Sequence, residues 1–231
     1  MRTVRRVDRR RAAAQRSLLA VACCAVGLAI AAVAPAASAA ERTLRGEGSF
    51  RAPPEVVLAA LPASSPLRAA DLRSGALSFE IVYDDGAPDA DPDPYGGRYP
   101  SAIRAFRVRI GAATLELPLG QAELRVSDGG FGLAHRESLQ LLASARHGEH
   151  VLRAGWVQIH QRSVTEDLRG AAGSIVGDAI PDVRTVAAFP TSGEFDRVFF
   201  VRLDPLADPR RPALYLSTST LTVAPATIAS R

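Results

Sequence analysis

The sequence predicts an all-β protein: one antiparallel β-sandwich or jelly-roll-like domain with one or two short helical turns. Three observations carry this. Beyond residue 40, apolar and polar residues alternate with period two through most of the chain, as in strands with one buried and one wet face. Gly- and Pro-bearing turn signals separate these runs at short intervals. Runs of good helix formers are scarce, and no repeat or low-complexity linker marks a second domain.

The elements follow in order. "TLRGEGSF" (43–50) leads to Phe50, and "PPEVVLAAL" (53–61) offers two helical turns behind a proline start. "ALSFEIVY" (76–83) places Leu77, Phe79, Ile81 and Tyr83 on one face. "AIRAFRVRI" (102–110) alternates likewise, with a phase slip near Ala105, and "ATLELPL" (113–119) continues with Leu115, Leu117 and Leu119. Further strands are expected at 122–127, 137–145, 151–160, 183–189, 197–203 and 213–223. Turns fall at Asp128-Gly129-Gly130, His147-Gly148-Glu149 and Ser192-Gly193-Glu194. The stretch 166–181 carries three glycines and reads as a loop with one helical turn at most. Leu77, Phe79, Ile81, Phe106, Val108, Ile110 and Trp156 form the expected core.

Residues 1–39 read as a signal peptide and 40–231 as the single exported domain. Arg2 to Arg16 make a positive n-region, Ser17 to Val33 carry no charge, and Ala37-Ser38-Ala39 is a small-x-small cleavage site. An uncleaved anchor is the competing reading, but the alanine-rich run is only mildly apolar and Pro35 follows it. Of 28 basic and 24 acidic residues, seven arginines and Asp8 precede Ala40, leaving 21 against 23. The high isoelectric point therefore belongs to the targeting segment and does not argue for nucleic acid. Both cysteines, Cys23 and Cys24, lie in that segment, so the exported part has no disulfide, thiolate or Cys-ligated zinc. Secreted or periplasmic localisation follows, without a stable membrane anchor after cleavage.

Asp84, Asp85, Asp89, Asp91 and Asp93 fall within ten positions. They are hard oxygen ligands of the kind calcium takes, and they are also ordinary turn formers. Asp89-x-Asp91-x-Asp93 opens like an EF-hand loop, but Pro94 and Pro100 stand where its glycine and glutamate belong. Two readings stand: a solvated strand connection, or a calcium site of non-EF type on these five aspartates. No other cofactor is expected. His147-Gly-Glu-His150 sits on a turn and lacks a nearby third ligand, while His135 and His160 read as structural. Ser174 lacks a nucleophile-elbow motif, and Gly129-Gly130-Phe131-Gly132 joins strands and does not open a helix. A carboxylate pair for glycoside cleavage is a spatial property that spacing does not reveal. Trp156, Tyr83, Tyr95, Tyr99 and Tyr215 are the candidates for stacking on sugar rings.

The run from Gly75 to Gly111 resembles the exported domains of bacterial PEP-CTERM proteins. The likeness rests on Tyr83-Asp84, Pro88-Asp89, Gly97-Arg98-Tyr99, Ala102-Ile103, Phe106, Val108 and Gly111. Val126 and Asp128 match a further V-x-N-D element, and Ala179, Pro181 and Phe189 a third. Family members end in Pro-Glu-Pro, an apolar helix and a basic tail, whereas this sequence runs "LTVAPATIASR", so the expectation is a domain without the sorting helix. The resemblance implies a non-enzymatic envelope or extracellular-matrix protein with polysaccharide as its partner. The alternative is a secreted polysaccharide-active enzyme with carboxylates drawn from distant strands.

Overall fold

The computed structural model describes residues 40–161, 167, 175–188 and 195–225, all within one compact unit, Ser38–Arg231. The described residues form ten strands: β1 (Glu41–Phe50), β2 (Ala76–Asp84), β3 (Gly96–Tyr99), β4 (Ile103–Ile110), β5 (Ala113–Glu116), β6 (Glu123–Asp128), β7 (Arg136–His147), β8 (His150–Gln161), β9 (Phe195–Pro205) and β10 (Leu214–Pro225). Among the described residues three short α-helices accompany them: α1 (Glu55–Ala59), α2 (Ala69–Arg73) and α3 (Val183–Ala188). The strands make one continuous antiparallel sheet in the order β3-β6-β7-β8-β9-β10-β1-β2-β4-β5. Among the described residues, no helix is long and apolar enough to cross a membrane.

The sheet folds over on itself to bury one face. β10 makes the corner: Leu214–Ser217 pair with β9, and from Thr218 onward the strand pairs with β1. This brings β2 and β4 over β9, where the Phe79 and Phe199 rings stack with centroids 4.4 Å apart and Phe106 packs at 6.2 Å. A stacked pair of this kind adds about 1 kcal/mol beyond its buried area. The Phe79 ring lies across Gly46 on β1, and a Cβ there would overlap it. All seven residues of the expected core are buried, with Trp156, Ile81 and Ile110 fully so. At one end α1, α2 and their linker bury Leu58, Leu72 and Leu67 against this core. A 3₁₀ turn at Leu119–Gln121 touches both β4 and β7, joining the two layers along one side.

One irregularity expected from the sequence is present, and three details differ from expectation. The phase slip near Ala105 is a bulge: Val82 pairs with Ala105 and Tyr83 with Ile103, so Arg104 is the extra, exposed residue. Residues 183–189 were expected to extend as one of the alternating segments. Of these, Val183–Ala188 form α3, because Asp182 caps it: its carboxylate accepts the Arg184 N–H at 2.7 Å and its carbonyl the Val186 N–H, while Phe189 lies outside the described residues. The strand at 113–119 stops at Glu116, since Pro118 cannot continue the ladder, and Leu119 is left exposed. The connection from β2 to β4 is more than a loop, because it crosses to the other layer and adds β3 beside β6 before returning. Residues 1–39, Ser174 and the 192–194 turn lie outside the described residues.

Candidate functional site

Each of the five carboxylates of the acidic loop has a local partner. Asp84, Asp89, Asp91 and Asp93 each accept the backbone N–H two residues ahead, from Gly86, Asp91, Asp93 and Tyr95 at 2.9–3.1 Å. These are Asx turns, laid nearly end to end. Asp89 also takes the Arg98 N–H at 2.8 Å, tying the loop to β3. Asp93 takes that of Phe131 at 2.9 Å, holding a non-glycine residue at φ 54°. Asp84 is paired with Arg104 at 2.8 Å, and that guanidinium, with the Gly86 N–H, holds its carboxyl below the usual range. Asp85 accepts from Ala40 N–H and Arg42, whose guanidinium it raises. Among the described residues, no three acidic or histidine side chains converge as a metal site.

A different set is drawn together by strand register. The hairpin turn at His147–His150 fixes β7 against β8, and counting back from it pairs Gln140 with Val157, Leu139 with Gln158 and Glu137 with His160. β6 pairs with β7 so that Asp128 stands opposite Glu137. The inner face of this layer therefore carries successive cross-strand rows. Leu124, Leu141, Trp156 and Phe199 form an apolar row, followed by Val126, Leu139, Gln158 and Arg197, then Asp128, Glu137 and His160. His160 Nδ1 lies 3.0 Å from Glu137 Oε2, and Arg197 Nε donates to Gln158 Oε1 at 2.8 Å. Asp128 is 1% exposed, Glu137 0% and His160 3%. Burial holds the Arg197 guanidinium below its ordinary value. Two carboxylates, an imidazole, an amide and a guanidinium thus occupy one end of the core.

Residues 175–188 cover that end. Gly177 N–H donates to Asp128 Oδ2 at 2.8 Å, the Tyr99 hydroxyl donates to the Asp178 carbonyl at 2.7 Å, and Arg197 donates to the Val186 carbonyl. Ile175 and Val186 are buried in the core beneath, and α3 packs on β10 and β1. Gly97 has no side chain because one would strike the Asp178 carbonyl. Around the rim, Tyr95 (38%), Phe131 (42%) and Leu133 (40%) are exposed, with the Phe131 ring against Gly96.

Asp128 appeared in the sequence as a turn residue and His160 as a structural histidine, while Glu137, Gln158 and Arg197 carried no signal of their own. The legible clue was the 147–150 turn, from which the register of 137 and 160 follows. His147 and His150 face each other across that turn, where Gly148 takes a positive φ. Of the five rings singled out for stacking on sugars, Trp156, Tyr83 and Tyr99 are buried, and Tyr95 and Tyr215 are exposed. Comparison with family models, with curated proteins and with solved structures gives no match to this chain.

Proposed function

We propose that this is an exported, non-catalytic β-domain of the cell envelope or extracellular matrix that associates with polysaccharide. The observation that carries its non-catalytic character is the sealing of the acid–base row: Asp128, Glu137 and His160 are together, but at most 3% exposed. A sugar ring must reach both carboxylates to be cleaved. The aspartates of the loop hold backbone and arginine instead. The signal-like leader, the near-balanced charge after it and the likeness to PEP-CTERM exported domains support the same reading. The test is retention of the purified chain, begun at Ala40, in native gels cast with extracellular polysaccharide, beside gels without it. Migration identical in every gel would refute the association.

The second reading, a polysaccharide-active enzyme, is favoured by one observation. Asp128 and Glu137 are directly opposed cross-strand neighbours, and His160 adjoins them. Displacement of residues 175–188 would open that row. Release of reducing ends by the wild type, lost in Glu137→Gln, would establish it.

A further inference from the structure

The outer face of the β1-β2-β4-β5 layer carries charges in registered rows. In one row Arg45, Glu80, Arg107 and Glu116 alternate across four strands. Glu80 bridges Arg45 at 2.6 Å and Arg107 at 3.1 Å, and Glu116 meets Arg107 at 3.0 Å. That ladder is satisfied from end to end. The adjacent row reads Glu47, Ser78, Arg109, Thr114. Its middle position holds a serine where the first row holds a glutamate. Glu47 and Arg109 stand two strands apart, roughly 9.6 Å between backbones, and among the described residues they make no ion pair with each other or another side chain; there the Arg109 guanidinium donates to the Gly111 carbonyl at 3.3 Å. The short side chain leaves a trough. Two hollows of about 350 and 360 Å³ adjoin along β2, sharing Glu47, Ser78 and Arg109.

We infer that this trough is the carbohydrate-binding cleft, taking a neutral polyhydroxylated chain along β2 over Ser78. The inference rests on the proposed association with polysaccharide and places it on the fold. A carboxylate on one wall accepts hydroxyl protons, a guanidinium on the other donates to hydroxyl oxygens, and Ser78 and Thr114 do both. A hydroxyl is donor and acceptor at once, so a sugar chain satisfies both walls without bringing charge. A polyanion would meet Glu47 and Glu80, and a polycation would meet Arg109 and Arg107. From Ala76 to Glu80 the trough runs about 13 Å along the strand, room for a short oligosaccharide.

The experiment is isothermal titration of the chain begun at Ala40 with neutral dextran, xylan and mixed-linkage β-glucan oligosaccharides, and with oligogalacturonate as the anionic probe. Ser78→Arg fills the trough from an outward-facing position, and Arg109→Gln removes one wall while keeping most of the side chain. Glu149→Gln, on the β7–β8 turn, is the control. Circular dichroism and Trp156 emission check that each variant is folded. The expected result is binding of at least one neutral probe, weakened about tenfold or more in both trough variants and unchanged in the control, as loss of a charged hydrogen-bonding wall requires. Neutral binding that survives both substitutions overturns the placement and leaves the association standing. Binding of oligogalacturonate alone overturns the neutral ligand class. Binding of none of the probes overturns the association and the cleft together.

Discussion

Gly46→Ala is the smallest change that tests how the two layers meet. The Phe79 ring lies over Gly46 and stacks on Phe199 of the opposite layer. A methyl at position 46 has to push the ring out of that stack or lift β1 from β2. Overpacking of this kind costs about 1–3 kcal/mol, and loss of the ring pair accounts for about 1 kcal/mol of it. For a domain of this size, each kcal/mol lowers Tm by roughly 2–4 °C. Phe79→Leu removes the ring atoms that clash, so the double variant should cost less than the sum of the single ones by about 1–2 kcal/mol. The assay is urea unfolding followed by fluorescence of Trp156, which is the single tryptophan and fully buried. Costs that add to within about 0.5 kcal/mol would refute the contact.

Three further outcomes are expected. His160→Leu removes the imidazole hydrogen bond from buried Glu137 and should cost about 1–3 kcal/mol; the pair Glu137→Leu/His160→Leu should cost less than the sum of the single variants, and a cost below about 0.5 kcal/mol for His160→Leu would mean the two do not meet. Burial, then the Asp89 and Asp178 carboxylates, hold the Tyr99 hydroxyl up at about 12, and burial, then Asp182 and Asp85, raise Tyr83 as well. Their neutral forms therefore stabilise the fold fully below about pH 10 and lose that contribution as pH rises toward the folded value; phenolate absorbance with Tyr99→Phe and Tyr83→Phe variants should show neither group ionising near pH 10 in the native state. Millimolar calcium should leave the melting temperature unchanged, while Asp89→Ala lowers it with or without calcium by removing two backbone hydrogen bonds, about 1 kcal/mol each; a calcium-specific rise of several degrees that Asp89→Ala abolishes would instead make the loop a metal site.

Much of this fold was legible because its strands have one wet face. Period-two alternation located β1, β2, β4, β6, β7, β8, β9 and β10, and even the Arg104 bulge showed as a slip in phase. β3 was not legible: Gly-Gly-Arg-Tyr has no alternation, and its position follows from the Asx turns that end the acidic loop. α3 was misread because a single capping residue, Asp182, outweighs the strand preference of Val183, Thr185 and Val186. The polar row was hidden for a different reason. Glu137 and His160 are 23 residues apart, Asp128 lies on a third strand, and only the register set by two turns brings them together. The trough was hidden in the same way, since Ser78 has meaning only beside Glu47 and Arg109, each on another strand.

The most direct measurement is to incubate the chain begun at Ala40, and its Glu137→Gln variant, with a neutral polysaccharide that retains it, and to score bound protein and newly formed reducing ends in the same samples. Equal retention of both proteins, with no more reducing ends than in protein-free controls, is the result expected of a sealed acid–base row. Reducing ends that accumulate with the wild type and not with Glu137→Gln would show that the row opens and that the protein is an enzyme.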